Sequence, residues 1–176
     1  MSGIAGVVQF DGSAIDPGLL QRLADSLAFR GPDAQQIWLK DHVGFVHTLF
    51  NTTEAPAREL QPLTLNGKSW IVADARIDVR NELFAAWASA GQADPTESSS
   101  TDAELILHAY HTWGEACVER LRGDFAFAIW DDARQQLFCA RDQMGVKPLY
   151  YAQVGSCVIF SNTLNCVRRH PLVADR

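Results

Sequence analysis

Few side chains in this sequence have a spacing that by itself indicates chemistry. His108 and His111 lie at positions i and i+3, which can bind a metal ion from one helical face. No third ligand lies nearby, so we predict no metal site. Asp74 and Arg76 are two residues apart in a predicted strand, so their side chains face the same side of the sheet. They could form a structural ion-pair network there, or they could contact a ligand.

The four cysteines show no CxxC spacing, which argues against a disulfide framework or a metal site. Most of them lie within apolar runs, where a free cysteine behaves as a small hydrophobic residue. We therefore predict buried free thiols at Cys117, Cys139, Cys157 and Cys166.

The first half of the chain is predicted to contain several strands and one helix. Residues 4–10 are almost continuously apolar and end in Asp11-Gly12, which predicts a buried strand and a tight turn. Asp16-Pro17 is a typical helix start, and leucines recur at helical spacing until Arg30-Gly31-Pro32. Strands are predicted at 36–40 and 43–50, and Asn66-Gly67 predicts a type I′ hairpin within 63–72.

The second half begins with helices and returns to strands. Helices are predicted at 81–90 and from Thr101 to a stop at Gly114, with a polar loop at 91–100 between them. Asp102 comes just before a helical pattern and could cap that helix. Strands are predicted at 125–130, 136–140, 149–153 and 157–161. Strands, then helices, then strands indicate an α+β fold with two sheets and helices outside them.

Composition limits the classes of function. The chain has 176 residues, about the size of one domain, and a net charge of −6, which opposes attraction to nucleic acid. No run approaches the roughly 18 apolar residues of a membrane span, and the N-terminus does not resemble a secretory signal. We expect a cytoplasmic protein that binds neither nucleic acid nor membranes.

Four motifs together suggest a family. They are Ser2-Gly3-Ile4-Ala5-Gly6, Arg30-Gly31-Pro32-Asp33, Leu121-Arg122-Gly123-Asp124-Phe125-Ala126-Phe127, and the stretch from Arg141-Asp142 to Tyr150-Tyr151. In this order they resemble the class II glutamine amidotransferase domain that opens asparagine synthetases. The resemblance implies a four-layer αββα sandwich of the N-terminal-nucleophile hydrolase type.

The resemblance also implies a domain organisation. Residues 1–165 would form the amidotransferase-like domain, and 166–176 would begin the connection to an ATP-dependent synthetase domain. The first domain would need no cofactor, whereas ATP and Mg would serve the synthetase domain. The implied partners are that synthetase domain, on the same or a separate chain, a small-molecule or peptide substrate, and a second copy in a homodimer. The segment 141–151 is expected to hold a turn and to present an apolar face to the synthetase domain.

The residues at the family's catalytic positions differ from the family pattern. The nucleophile is an N-terminal cysteine in the family, and Ser2 stands there. An Asn side chain and the following Gly amide form the oxyanion hole in the family, and Asp74 and Ala75 align with them. An Asp carboxylate has no hydrogen-bond donor, and losing one oxyanion donor costs roughly 10²–10³ in rate.

The substrate clamp differs as well. Leu49 aligns where the family has an arginine for the glutamine carboxylate, and such a charge-assisted bond is worth about 1.5–3 kcal/mol. Asp102 aligns with the family's anchor for the substrate amine, so half of the clamp could survive.

These substitutions are similar to those of β-lactam synthetases and lasso-peptide cyclases, family members that need no ammonia. We therefore predict a degenerate glutaminase domain that is a structural partner of an ATP-dependent amide ligase or cyclase. One alternative is an active amidohydrolase with Ser2 as nucleophile, after removal of Met1. Another is a module that binds a small ligand or peptide, with Arg76 as an anion contact.

Overall fold

The computed structural model describes residues 1–51, 60–89 and 100–174. Most of the predicted polar loop at 91–100 therefore lies outside the described residues. None of the helices in the described ranges combines the length and the apolar character needed to span a bilayer.

Eight strands and five α-helices make up the described fold. The strands are β1 (Gly3–Gln9), β2 (Ala34–Lys40), β3 (Val43–Leu49), β4 (Ser69–Ile77), β5 (Gly123–Asp131), β6 (Gln136–Arg141), β7 (Tyr150–Val154) and β8 (Cys157–Ser161). The helices are α1 (Pro17–Leu27), α2 (Arg80–Ser89), α3 (Asp102–Trp113), α4 (Leu164–Val167) and α5 (Pro171–Ala174), and a 3₁₀ helix (Gly114–Glu119) follows α3.

The strands form two antiparallel sheets. The first has the order β2-β3-β1-β8-β7, and the second has the order β4-β5-β6. β1 is central in the first sheet, where Gly3 pairs with Thr48 and Ala5 pairs with Ser161. In the second sheet Asp74 pairs with Ala126. The start of β1 is thus flanked by the ends of β3 and β8.

Three separate groups of buried side chains show how the layers stack. One lies between α1 and the first sheet, and another lies between the second sheet and helices α2 and α3. The third, which we call the inter-sheet core, lies between the sheets and comprises Ile4, Val8, Val43, Phe45, Val72, Ala126, Ala128, Trp130 and Phe160. The order is therefore helix, sheet, sheet, helix, which agrees with the predicted αββα sandwich.

Strand periodicity produces this layering. In β5, Ala126, Ala128 and Trp130 contact the inter-sheet core, whereas Phe125, Phe127 and Ile129 pack on the helices. Successive strand residues point to opposite faces, so a strand covered on both sides is apolar throughout. This explains why β1 and β5, which are buried along nearly their whole length, lack a polar alternation.

Helix capping corrects one prediction. Thr101, not Asp102, caps α3: its side chain accepts from the Glu104 amide, and the Glu104 side chain accepts from the Thr101 amide. Asp102 is the first residue of the helix. For α1, the predicted cap is confirmed, because Asp16 accepts from the Gly18 amide and Pro17 occupies the first turn.

Two further predictions need correction. The hairpin at 63–72 is reduced to one bridge between Leu63 and Ile71, because the Asn66 side chain binds the amides of Lys68 and Ser69 and closes a wider loop. All four cysteines are free, as predicted, and three are buried. Cys139 is exposed because its strand, β6, forms an edge of the second sheet.

Candidate functional site

Ser2 lies immediately before β1 and is bonded through both its hydroxyl and its carbonyl. Its Oγ accepts from the Phe50 amide at 3.3 Å. Its carbonyl oxygen accepts from Asn162 Nδ2 at 2.8 Å and from Arg30 Nε at 3.3 Å. Ser2 is therefore held from the end of β3, from the segment after β8 and from the turn after α1.

Asn162 is fixed in orientation by the backbone of β1. Its Oδ1 accepts from the Ile4 backbone amide at 3.1 Å, and its backbone N–H donates to the Ile4 carbonyl at 3.1 Å. The side chain is buried. Because Oδ1 is occupied, the Nδ2 group is directed to Ser2 and to the second sheet.

Asp74 reaches this site from the opposite sheet. It lies two residues after Val72, a member of the inter-sheet core, and it is itself only 5% exposed. Its Oδ1 accepts from Lys147 Nζ at 2.9 Å, and its Oδ2 lies 3.5 Å from Arg30 Nη2 and 3.4 Å from Asn162 Nδ2. We call Arg30, Asp74, Lys147 and Asn162 the Asp74 cluster. It joins two cations and one carboxylate with little contact with water.

Asp74 and Arg76 each form ion pairs, as predicted, but with different partners. Arg76 Nε donates to Asp78 at 3.1 Å, and the Arg76 side chain is 78% exposed. Asp74 does belong to an ion-pair network, but its cations come from Arg30 and Lys147. Arg76 lies nearer the end of β4, where solvent replaces the opposite sheet.

A tight turn positions Lys147. The Asp142 carboxylate accepts from the amides of Val146 at 2.8 Å and Lys147 at 2.9 Å, and Gly145 has a positive φ of 67°. Burial raises the pKa of Asp142, but the backbone amides outweigh it and hold that pKa below its ordinary value. This confirms that the 141–151 segment holds a turn.

The Arg30-Gly31-Pro32-Asp33 motif makes a close contact with β3. A Cβ on Gly31 would lie 2.2 Å from the Thr48 carbonyl, so no larger residue fits there. Asp33 Oδ2 accepts from the Asn51 amide at 2.7 Å, so it binds the chain after β3 and not its own turn. The motif thereby places the Arg30 side chain beside Ser2.

His47 is a buried histidine at the same end of the inter-sheet space. It is 2% exposed, and its Nε2 has no hydrogen-bond partner within the part of the chain that the structure describes. Burial lowers the pKa of His47 to about 4, and the nearby Asp74 carboxylate opposes that shift. The side chain is therefore a neutral imidazole at neutral pH.

Leu49 and Ala75 contribute no polar side chain to the site. Leu49 is the last residue of β3, and its carbonyl accepts from the Asp33 amide at 3.1 Å. Ala75 follows Asp74 on β4, and its side chain packs against the helix-side core of the second sheet. Neither side chain can bind the charge of a ligand.

Asp102 forms a different ion pair. Its carboxylate binds Arg80 Nη1, and the same guanidinium donates to the Ser100 carbonyl. Burial raises the pKa of Asp102, and the Arg80 charge opposes that shift. Its ionic partner is thus Arg80, not a member of the Asp74 cluster.

Sequence reasoning missed the polar partners of Asp74. Arg30 and Lys147 lie within the motifs that carry the family resemblance, but their side chains had no assigned role. Asn162 and His47 are polar residues beside apolar strand residues, which is the available signal for a buried polar site.

Comparisons with known proteins agree with this architecture. A family model described as a glutamine amidotransferase domain matches residues 1–176. The glutamine-hydrolyzing asparagine synthetase 3 of Bacillus subtilis is 34% identical over 183 residues, which cover 100% of this chain and 29% of that protein. Amidase chry2 of Gibberella zeae is 28% identical over 172 residues, covering 86% of this chain and 24% of that protein. The chain thus spans about a quarter to a third of the length of these relatives.

A solved structure supports the fold. The glutamine phosphoribosylpyrophosphate amidotransferase of B. subtilis superposes with a TM-score of 0.72 at 16% sequence identity, over 93% of this chain and 42% of that chain. At this identity the likeness concerns the fold alone, and it confirms the predicted αββα sandwich.

Proposed function

Because the chain belongs to the glutamine amidotransferase domain family of asparagine synthetase-like proteins, we propose that it is a degenerate member that does not hydrolyse glutamine. In this proposal the domain is a structural partner of an ATP-dependent amide ligase or cyclase. The observation that carries it is that Arg30, Lys147 and Asn162 bind both carboxylate oxygens of Asp74, the residue predicted at the oxyanion position.

An oxyanion hole needs hydrogen-bond donors directed at the developing negative charge. Asp74 instead accepts, with both carboxylate oxygens engaged by Arg30, Lys147 and Asn162. The two cations offset the repulsion that an isolated carboxylate would exert. The Asp74 side chain has no donor for an oxyanion. The neighbouring donors of Arg30, Lys147 and Asn162 already bind the Asp74 carboxylate and so do not replace it.

Substrate binding is also weakened in the proposal. Leu49 offers no charge for the α-carboxylate of glutamine, and the carboxylate of Asp102 is already paired with Arg80. Free glutamine would have to break the Arg80 pair to place its amine at Asp102. At both Leu49 and Asp102, the expected contacts to glutamine are therefore weak or missing, and glutamine should bind poorly.

The proposed partner is a C-terminal synthetase domain that uses ATP and Mg. Relatives named asparagine synthetases are about three to four times as long as this chain, because it covers only 29% and 23% of two of them, which leaves room for such a domain. Several exposed apolar residues in the turn segment support a contact surface there: Met144 is 87% exposed, Val146 52% and Tyr151 75%. That these side chains form one continuous apolar patch stays a prediction. The domain boundary after residue 165 and the cytoplasmic location stay predictions as well.

The test is a glutaminase assay on three proteins. Wild type and Ser2→Cys should release no glutamate above background, because a new nucleophile leaves the oxyanion and clamp positions unchanged. The quintuple variant Ser2→Cys, Leu49→Arg, Asp74→Asn, Ala75→Gly, Arg76→Glu should regain measurable turnover. Substantial turnover by wild type or by Ser2→Cys alone would reject the proposal.

Folding of the quintuple variant needs its own control. Asp74→Asn removes the only carboxylate of the Asp74 cluster and leaves Arg30 and Lys147 without their negative partner. Near-ultraviolet circular dichroism should therefore be recorded beside the activity. A native spectrum without turnover would show that the assignment of the catalytic positions is wrong.

The alternative is an amidohydrolase with Ser2 as nucleophile. The Phe50 amide fixes the position of Ser2 Oγ at 3.3 Å, and Met1 is 56% exposed and so accessible to an aminopeptidase. This function requires a free Ser2 amine. Intact-mass measurement of the native protein, together with hydrolysis assays on Ser2→Ala, tests it directly.

A further inference from the structure

Three donors from three separate segments converge on the Asp74 carboxylate. Arg30 follows α1, Lys147 lies in the turn between β6 and β7, and Asn162 follows β8. The contacts use both oxygens, with Lys147 on Oδ1 and with Arg30 and Asn162 on Oδ2. This is how a protein binds a carboxylate ligand, although the carboxylate here comes from its own β4.

Burial makes an anion at this point necessary. The side chains of Arg30 and Lys147 are each 12% exposed, and Asn162 is 1% exposed. Two cations so far removed from water are costly unless a negative charge accompanies them. Lys40 and Asp132 also form an ion pair, but at 46% and 31% exposure water can solvate either partner alone.

We propose that Arg30, Lys147 and Asn162 form a binding site for a small carboxylate, and that Asp74 occupies it as an internal ligand. This extends the proposed function, because an occupied site cannot accept the carboxylate of a substrate. Removing the Asp74 carboxylate should open the site to a free carboxylate of the same size.

The occupant also affects Ser2. Arg30 and Asn162 donate to the Ser2 carbonyl at 3.3 and 2.8 Å while they bind Asp74. Without the carboxylate, the charges of Arg30 and Lys147 repel each other. Arg30 and Asn162, which donate to Ser2, then each lose one of the contacts that fix them. A bound carboxylate should therefore restore both the stability of the protein and the ordering of its N-terminus.

The experiment uses Asp74→Ala, which removes Cγ and both oxygens, the heavy atoms of formate. Melting temperatures are measured in sodium formate and in sodium chloride at equal ionic strength. Formate should stabilise the variant saturably, by about 3–6 °C once it exceeds its dissociation constant tenfold. Acetate, with its additional methyl group, should act more weakly.

Two controls define the site. Wild type should show no difference between formate and chloride, because Asp74 fills the site. Asp132→Ala should also show none, because Lys40 is solvated without its partner. Equal melting temperatures of Asp74→Ala in the two salts, or equal formate effects on all three proteins, would overturn the proposal.

If Asp74→Ala does not fold in chloride, its refolding yield is measured instead. A refolding yield that rises with formate and not with chloride supports the site, and an unchanged yield contradicts it. In addition, Asp74→Asn and Lys147→Met are made singly and together to measure the coupling between the two side chains. Asn is chosen because its amide keeps the shape of Asp74 without its charge. The double variant should lose less stability in urea than the sum of the single losses, whereas strict additivity would contradict the proposal. These readouts are independent of glutamine turnover, so either proposal can fail alone.

Discussion

An ion pair lies at each end of the space between the two sheets, and the two pairs differ in burial. Near the start of β1, Asp74 binds Arg30 and Lys147 with 6% and 12% side-chain exposure. At the far end, Lys40 on β2 binds Asp132 after β5 at 2.7 Å, but both side chains are substantially exposed. The shorter contact is the more solvated one, so distance alone does not indicate which pair matters.

Aromatic side chains form the second difference. At the Lys40 end, Trp38 stacks on Trp70 with centroids 4.5 Å apart, and Trp130 contacts the rings of Phe10 and His42. Apolar burial thus closes that end, and the ion pair lies outside it. At the Ser2 end, charged groups take the place of the rings. A surface pair contributes about 0–1 kcal/mol, whereas breaking a buried pair costs about 3–5 kcal/mol.

The largest expected effect is at the aromatic end. Trp130→Ala should lower the free energy of unfolding by about 3–5 kcal/mol, because it removes a nearly fully buried ring from the inter-sheet core. Urea denaturation followed by circular dichroism measures this. Trp130→Phe keeps a ring and should lose less. A loss below about 1 kcal/mol for the alanine variant would show that this end is not closed by burial.

His47 tests the charged end through pH. Its folded pKa of about 4 lies below the ordinary 6.5, so the unfolded chain takes up the proton first as pH falls. As pH falls from 6.5 to 4, the free energy of unfolding should therefore decrease by about 3 kcal/mol because of this group. Below pH 4 this contribution should level off. The difference between wild type and His47→Gln across this range isolates the effect. Parallel curves would contradict it.

Asp142 tests the support of Lys147. Asp142→Ala removes the acceptor of the Val146 and Lys147 amides, which should cost about 1–3 kcal/mol. Hydrogen exchange of these two amides should accelerate. Asp142→Asn retains one carbonyl oxygen and should fall between wild type and alanine. Unchanged exchange in the alanine variant would mean that the turn does not depend on this side chain.

The smallest effect belongs to the exposed pair. Lys40→Ala should cost less than about 1 kcal/mol, and 1 M sodium chloride should reduce the difference from wild type further, because salt screens exposed charges. Asp132→Ala is the matched change on the other partner, and it additionally removes the acceptor of Trp130 Nε1 at 3.4 Å. A loss as large as that of Trp130→Ala would show that the exposed pair, and not the rings, closes this end.

Much of the fold could be predicted from the sequence. β8 was predicted with its observed bounds, and α3 within one residue, because apolar periodicity and capping residues are local signals. The hairpin prediction failed because Asn66 binds the amides of Lys68 and Ser69, a side-chain alternative to the two-residue turn. Asp102 was mistaken for a cap because Thr101 and Glu104 form a capping box around it.

The candidate site was predictable only in part. Asp74 was identified as a residue of the site, but its partners were not, because they lie 73 positions away at Lys147 and 88 at Asn162. No local pattern connects residues at such separations. The exposure of Arg76 depends likewise on where β4 extends past the opposite sheet.

The sequence by itself determined the layers, because strand geometry sends alternate residues to opposite faces, and strands apolar on both faces must be covered on both. It also determined the family, through motifs whose order is a property of the chain. Only the tertiary structure decided that Arg30, Lys147 and Asn162 meet at one carboxylate. That meeting requires β4 of one sheet to stack against the Ser2 end of the other, and this stacking brings the Asp74 charge to its cations.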